Sequence, residues 1–144
     1  MVIGEEKRMK KTIREFIHAE YGLHEMDVVA LEVNGREMIV RTQNGTIRHA
    51  SGRPIEGHVE FHGVDWGYCY IYLFDSNGNV GPFAGEKKYL IHFLDERKGL
   101  SFTVASEVYG KNRTKYFGHL LTGGKRLECI IEIYHDGDMI FVHE

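Results

Sequence analysis

The sequence contains little proline, cysteine or tryptophan, and it has no long apolar run. Its 144 residues include two prolines, two cysteines and a single tryptophan, Trp66, whereas glycine occurs 17 times. The scarcity of proline excludes collagen-like repeats and proline-rich linkers. No segment approaches the roughly 20 consecutive apolar residues of a transmembrane helix. The opening MVIGEEKRMKK also lacks the apolar stretch of a signal peptide. We therefore expect a cytoplasmic protein without a membrane association.

The cysteines and the charge narrow the function classes further. Cys69 and Cys129 are too few for a disulfide framework, and neither lies in a CxxC or Cys/His spacing that indicates zinc. Because each lies in an apolar stretch, we expect two buried, reduced thiols.

Lys and Arg number 18 against 21 Asp and Glu, so the net charge of −3 excludes a strongly basic domain. With 42% hydrophobic residues, the chain can bury one core, and we predict a single domain over 1–144.

Four glycines follow Asn or Asp between runs that are rich in Val, Ile, Tyr and Phe. These pairs are Asn34-Gly35, Asn44-Gly45, Asn77-Gly78 and Asp136-Gly137. Such pairs adopt positive φ angles at low cost, as tight hairpin turns require, and the flanking residue types favour strands. The sequence therefore predicts a mainly β (α+β) fold, an antiparallel meander that forms a bent sheet or a partly open barrel.

Strands are predicted at 27–33, 37–43, 46–49, 57–62, 67–74, 88–94, 100–105, 127–135 and 138–143. Residues 5–21 place Met9, Ile13, Phe16 and Ile17 at helical spacing, which predicts an amphipathic N-terminal helix packed on the sheet.

Two further segments are less regular. Residues 86–98 fit either a strand or a helix ending at Gly99, and the strand is slightly favoured because LSFTV follows at once. A short helix is predicted near 113–121.

A histidine and carboxylate pattern lies on one predicted strand. His58, Glu60 and His62 project from one face, with neighbours about 6.6 Å apart, and imidazole with carboxylate suits Zn²⁺, Fe²⁺ or Mn²⁺. This pattern supports one hypothesis, a metal-dependent enzyme of barrel type. We predict no other cofactor. The alternative is the ordinary polar face of an antiparallel strand, and a spacing of two residues is less telling than HExxH on a helix.

An aromatic stripe provides the main functional hypothesis. Tyr68, Tyr70 and Tyr72 share one face of a predicted strand, and Trp66 precedes them in the loop GVDWG. On an accessible face, phenol and indole groups suit a protein partner or a small planar ligand. Together with the lack of a catalytic motif, this predicts a non-catalytic binding module. The structural alternative is that cross-strand aromatic pairs only stabilise the sheet.

Nucleic acid and nucleotide partners receive less support. The basic segment 7–14 and the mixed basic and aromatic segment 111–117 could contact phosphates and bases. However, Glu5 and Glu6 adjoin the first segment, so a solvated face explains it better, and we do not expect nucleic-acid binding. GxGxxG, GxxxxGK[ST] and GxSxG are absent from the sequence, and the segment TGGK at 122–125 resembles a phosphate loop in composition only. Unpaired sheet edges leave a homodimer open as a further expectation.

Overall fold

A computed structural model describes residues 9–16, 18–74, 85–97 and 99–144. In this part, the chain is mostly antiparallel β-structure, as the sequence predicts. The strands are β1 (Lys10–Ile13), β2 (Tyr21–Gly22), β3 (Asp27–Asn34), β4 (Glu37–Thr42), β5 (Thr46–Arg48), β6 (Arg53–Ile55), β7 (Gly57–Phe61), β8 (Tyr70–Phe74), β9 (Gly85–Tyr89), β10 (Phe102–Gly110), β11 (Arg113–Thr122), β12 (Lys125–Tyr134) and β13 (Met139–His143). A 3₁₀ turn covers Trp66–Tyr68, and α1 covers Leu90–Asp95. Among the described residues, no helix is long and apolar enough to cross a bilayer.

The strands form one large sheet and one small sheet. The large sheet has ten strands in the order β1-β13-β7-β4-β3-β10-β11-β12-β8-β9, and the small sheet has the order β2-β5-β6. Neighbours in this order are often distant in the chain, so the sheet is not a simple meander. Within the described residues, β1 and β9 end the order and do not pair with each other, so the large sheet is not closed.

The predicted N-terminal helix over 5–21 is wrong where the structure describes it. Lys10–Ile13 instead form β1, which pairs with β13, and the Arg14 N–H donates to the Met139 carbonyl at 2.9 Å. Phe16 has a φ of 45°, which is incompatible with a right-handed helix. Ile13 and Phe16 are 52% and 60% exposed, so the helical spacing of apolar residues does not reflect a buried face. Residues 5–8 and Ile17 lie outside the described residues.

Two other segments differ from their predicted forms. Residues 86–98 combine both alternatives, because β9 leads directly into α1, which buries Leu90 and Phe93. The predicted helix near 113–121 is wrong: β11 pairs with β12 from Arg113 to Thr122. Its inward side chains alternate along the strand, as in a sheet with one core face.

Only one of the four predicted glycine turns is shown to close a hairpin. Gly35 has a φ of 60° in the turn between β3 and β4. Asn44-Gly45 instead links β4 to a strand of the small sheet, and Asp136-Gly137 links β12 to β13, which pair with different neighbours. Asn77-Gly78 lies outside the described residues. A hairpin turn that the sequence analysis did not predict joins β11 to β12 at Gly123-Gly124, whose φ angles are 55° and 76°.

The core lies on one face of the large sheet. Cys69 and Cys129 are buried and free of disulfides, as predicted, and burial raises their pKa values to about 11 and about 12. The main buried side chains are Leu23, Met38, Val40, Val59, Phe61, Ile71, Leu90, Phe93, Phe102, Val104, Leu120, Ile131, Ile133, Met139 and Phe141.

A β-bulge interrupts β10 between Val104 and Ser106. It adds one residue to β10 relative to β11, so the alternation of faces changes at this point. As a result, Glu107 lies opposite Tyr116, and Tyr109 lies opposite Thr114, on the face of the sheet that holds the core.

Candidate functional site

Three tyrosines lie together on the face of β8 and β9 that points away from the core, and a fourth, Tyr68, lies in the 3₁₀ turn before β8. We call Tyr68, Tyr70, Tyr72 and Tyr89 the tyrosine surface. Tyr70 pairs with Tyr89 across the two strands, and their ring centroids are 5.3 Å apart. The ring centroids of Tyr70 and Tyr72 are 6.4 Å apart. Tyr68 and Tyr89 are 61% and 46% exposed, whereas Tyr70 and Tyr72 are half-buried. The structure thus brings the predicted Tyr70 and Tyr72 together, adds Tyr89, and places the predicted Tyr68 in the neighbouring turn.

A lysine side chain lies across this surface. The Lys87 ammonium is 4.1 Å from the ring centroid of Tyr70 and 5.6 Å from that of Tyr72. These distances are typical of cation–π contacts, which orient a charged group over aromatic rings. At the other end of the surface, Tyr68 contacts Tyr134 at 5.6 Å between centroids. The surface therefore combines exposed rings with a positioned positive charge.

Trp66 does not belong to the tyrosine surface. Its ring is half-buried and packs against the core, and its Nε1–H donates to the Gly35 carbonyl at 2.8 Å. The indole therefore connects the 3₁₀ turn to the hairpin between β3 and β4. This geometry favours a structural role for the indole, as a cover on the core, over a contact with a partner.

The tyrosine surface adjoins an edge of the large sheet. All five residues of β9 are exposed, and within the described residues β9 pairs with β8 alone. The edge carries Lys87 and Lys88, and the Lys88 ammonium lies 3.4 Å from Glu86. At the opposite end of the sheet, β1 carries Lys10 and Lys11. Lysine at an edge discourages pairing with an identical strand, because like charges then face each other.

His58, Glu60 and His62 converge on one face of β7. The Glu60 carboxylate lies 3.1 Å from Nε2 of His58 and 3.1 Å from Nε2 of His62. Nδ1 of His62 is 3.5 Å from Glu37. Burial alone would raise the pKa of Glu60, but the hydrogen bonds with His58 and His62, assisted by Lys11, lower it below its usual range. The three side chains thus form a row in which one carboxylate bridges two imidazoles.

This row differs from a ligand set around a metal. In the part of the chain that the structure describes, no group of three or more His, Cys, Asp and Glu side chains is arranged to hold a metal ion. Other histidines of the chain lie on other elements. His92 lies on α1 and contacts Tyr89, and His119 lies on β11. His135 is buried and hydrogen-bonded to Thr114 at 3.0 Å.

A cleft that the sequence analysis did not predict lies between the N-terminal segment, the small sheet and the end of β10. Its volume is about 590 Å³. The lining residues are His18, Ala19, Glu20, Arg48, His49, Ala50 and Tyr109.

Glu107 lies behind this cleft. Its Oε1 accepts a hydrogen bond from the Leu23 N–H at 2.7 Å. A Cβ atom at Gly22 would lie 2.5 Å from Oε2 of Glu107 and 2.6 Å from Nε2 of His49, so glycine leaves the space in which these two groups approach each other. Burial raises the pKa of Glu107, although the Leu23 hydrogen bond opposes this change.

Three more polar side chains surround Glu107. The Arg14 guanidinium lies 4.7 Å from the ring centroid of Tyr109, and it donates to the carbonyls of Phe16 and Gly110. Tyr116 is 2% exposed, and burial raises the pKa of both Tyr109 and Tyr116 well above the usual range. Within the described residues, Arg14 Nε and the Tyr116 hydroxyl are buried without a hydrogen-bond partner, whereas the Tyr109 hydroxyl interacts with the Glu107 carboxyl group. The interior at this end of the sheet is therefore polar and incompletely satisfied.

The segments considered for nucleic-acid binding lie in different environments. In 111–117, Tyr116 faces the core and cannot stack on a base, and Lys115 pairs with Glu132 at 3.2 Å. In 7–14, the first two residues lie outside the described part, and Arg14 is buried.

Comparisons with protein-family models, with curated proteins and with solved structures find no match for this chain. The function is therefore argued from the geometry of these sites.

Proposed function

We propose that the protein is a non-catalytic, cytoplasmic binding module that holds an extended, acidic segment of a partner protein along β9. The tyrosine surface would contact the side chains of that segment. The observation that carries this proposal is the position of exposed Tyr68 and Tyr89 beside an edge strand whose five residues are all exposed. We also propose that the open sheet is bent like a partly open barrel, with this surface on its outer side.

The edge of β9 supports the binding of an extended segment. An added strand gains main-chain hydrogen bonds from an exposed sheet edge, and alternate side chains provide specificity. Tyr89 and Lys87 share the outer face of β9 with Tyr70 and Tyr72 of β8. Alternate residues of a bound segment would therefore meet rings and an ammonium group, and tyrosine is a frequent source of binding energy in protein interfaces.

The charge of the edge favours an acidic segment over a second copy of this chain. Lys87, on the same face as Tyr70 and Tyr72, would face a carboxylate in the proposed partner, whereas Lys88 lies on the opposite face beside Glu86. In a homodimer through β9, the same lysines would approach lysines of the other copy, which is unfavourable. The homodimer predicted from the sheet edges is therefore the less favoured arrangement, and the experiment below distinguishes it.

A peptide array tests the proposal. It would carry extended peptides in which valine alternates with glutamate, glutamine or lysine, and binding would be measured by fluorescence polarisation. We expect the glutamate peptides to bind, and we expect Tyr68→Ala/Tyr89→Ala to weaken binding by about tenfold or more. Lys87→Glu should shift the preference towards the lysine peptides. Val33→Ala, at a residue 41% exposed on β3, is the matched control.

Three outcomes would overturn the proposal. The first is equal binding of all three peptide classes, and the second is binding that the tyrosine pair does not affect. The third is a concentration-dependent dimer that Lys87→Glu strengthens or abolishes, because it would identify a second copy as the partner. Circular dichroism would check that the variants fold, and both tyrosines are exposed enough for this to be expected.

A metal-dependent enzyme that uses His58, Glu60 and His62 is the alternative proposal. The observation in its favour is the convergence of both imidazoles on the Glu60 carboxylate. Elemental analysis of protein purified without an affinity tag would support it if a stoichiometric metal disappears in His58→Ala/His62→Ala.

Single-stranded nucleic-acid binding has weaker support, because Tyr116 faces the core.

A further inference from the structure

We propose that the cleft at Tyr109 is a second binding site and that it takes a small organic acid, a carboxylate attached to an apolar body. The cleft is formed by residues of the N-terminal segment, the loop after β5 and the end of β10. None of these residues belongs to the tyrosine surface, so this site is independent of the function proposed above.

The size of the cleft fits a small molecule. Its volume of about 590 Å³ falls within the range of roughly 300–1,000 Å³ that is typical of ligand sites. The ring of Tyr109 and the methyl groups of Ala19 and Ala50 provide the apolar part of the wall. A flat or compact hydrocarbon group could lie against these side chains.

One cationic side chain lines the cleft. Arg48 carries a positive charge, and Glu20 is the single carboxylate among the lining residues. A guanidinium group presents paired N–H donors in the geometry that a carboxylate accepts. We therefore assign Arg48 as the residue that holds the carboxylate of the ligand.

The neighbouring carboxyl group does not prevent this binding. Glu107 already accepts from the Leu23 N–H, and its second oxygen approaches His49 across Gly22. Burial raises the pKa of Glu107, and its carboxyl group is not among the residues that line the cleft.

The experiment uses a panel of small carboxylic acids, including benzoate and acetate, with the corresponding amides as neutral controls. Binding to the full chain would be followed by amide chemical shifts in NMR titrations. We expect benzoate or another acid with an apolar body to bind, with residues 18–20 and 48–50 shifting. Its amide should bind at least tenfold more weakly, and acetate should also bind more weakly because it lacks the apolar body.

Variants distinguish specific binding in the cleft from a general attraction between the acid and positive charges on the protein. Arg48→Gln should weaken carboxylate binding at least tenfold, whereas Arg53→Gln should not. Arg53 is the matched control, because it is also an exposed arginine, pairs with Arg48 between β5 and β6, and lies outside the cleft lining.

The inference is overturned if no acid of the panel binds, if acids and amides bind equally, or if Arg48→Gln and Arg53→Gln have the same effect. A Tyr68→Ala/Tyr89→Ala variant that still binds the acid would show that the two proposed sites are separate. If that variant loses the acid, the assignment to the cleft is wrong.

Discussion

Replacing Trp66 tests whether this residue stabilises the fold or contacts a partner. Trp66→Phe keeps an aromatic ring in the half-buried position and removes the indole N–H that donates to the Gly35 carbonyl at 2.8 Å. It therefore separates the connection between the 3₁₀ turn and the β3–β4 hairpin from the contribution of the ring to the core.

The structure gives the expected magnitude. Loss of a single hydrogen bond costs about 1 kcal/mol. The smaller ring leaves some apolar area uncovered, so a total of about 1–2 kcal/mol in the free energy of unfolding is expected for Trp66→Phe. For a protein of this length, this corresponds to a melting temperature lower by roughly 3–6 °C. Trp66→Ala removes the whole ring and should therefore cost more, about 2–3 kcal/mol. The cost stays below that of a fully buried tryptophan because this ring is only half-buried.

Urea denaturation followed by far-UV circular dichroism is the appropriate assay, because both variants lack the single tryptophan that would report by fluorescence. The midpoint should decrease in the order wild type, Trp66→Phe, Trp66→Ala, with a slope that stays constant. Peptide binding at the tyrosine surface should remain unchanged in Trp66→Phe.

One result would refute this reasoning. If Trp66→Ala keeps the wild-type stability and loses partner binding, the indole is a contact residue and not a cover on the core. The aromatic site would then include Trp66, as the sequence pattern predicts.

Four other predictions concern the interior and the turns. Gly118→Ala should abolish folding, seen as loss of the β-sheet circular dichroism signal, because the added methyl would overlap the Thr103 carbonyl. Burial raises the pKa of Glu107, so ionising this carboxyl group costs more in the folded state than in the unfolded state. The wild type should therefore lose stability as pH rises above about 4.3. Urea midpoints should show this loss in the wild type but not in Glu107→Gln. Burial lowers the pKa of His135, so its ring should titrate below about 6.5 in NMR, and its protonation should destabilise the fold as pH falls. A bulky side chain at Gly124, as in Gly124→Val, should cost about 1–2 kcal/mol because φ is 76°; a thermal melt that matches the wild type would contradict this.

Residue alternation predicts the faces of the regular strands. In β8, Ile71 and Leu73 are buried, as is Cys69 just before the strand, while Tyr70 and Tyr72 face outward, as the sequence predicts. The same rule applies to β12. These strands pair along their whole length without a bulge, so a period of two residues describes them completely.

The polar cleft could not be predicted because β10 breaks this period. Strict alternation from Phe102 and Val104 would place Val108 inside and Glu107 outside. The bulge reverses this arrangement, and Val108 is 52% exposed while Glu107 lies inside. A bulge depends on the register with the neighbouring strand, which a local pattern does not contain.

The N-terminal segment illustrates a different limit. Its apolar spacing fits a helix, but pairing with β13 provides hydrogen bonds to a strand more than 120 residues away in the chain. Gly123-Gly124 shows the reverse case, because its hairpin could have been predicted locally. Two consecutive glycines between β-forming runs are a turn signal.

The position of β13 between β1 and β7 has a consequence for the order in which the chain folds. During synthesis, neither β1 nor β7 can acquire this neighbour until residues 139–143 have left the ribosome. The hairpins β3–β4, β10–β11 and β11–β12 can form earlier, because their partners are adjacent in the chain. Contacts that span so much of the sequence slow folding. The assembly of β1, β13 and β7 should therefore be a late step, and until it occurs the inner faces of β7 and β4 would be open to chaperones.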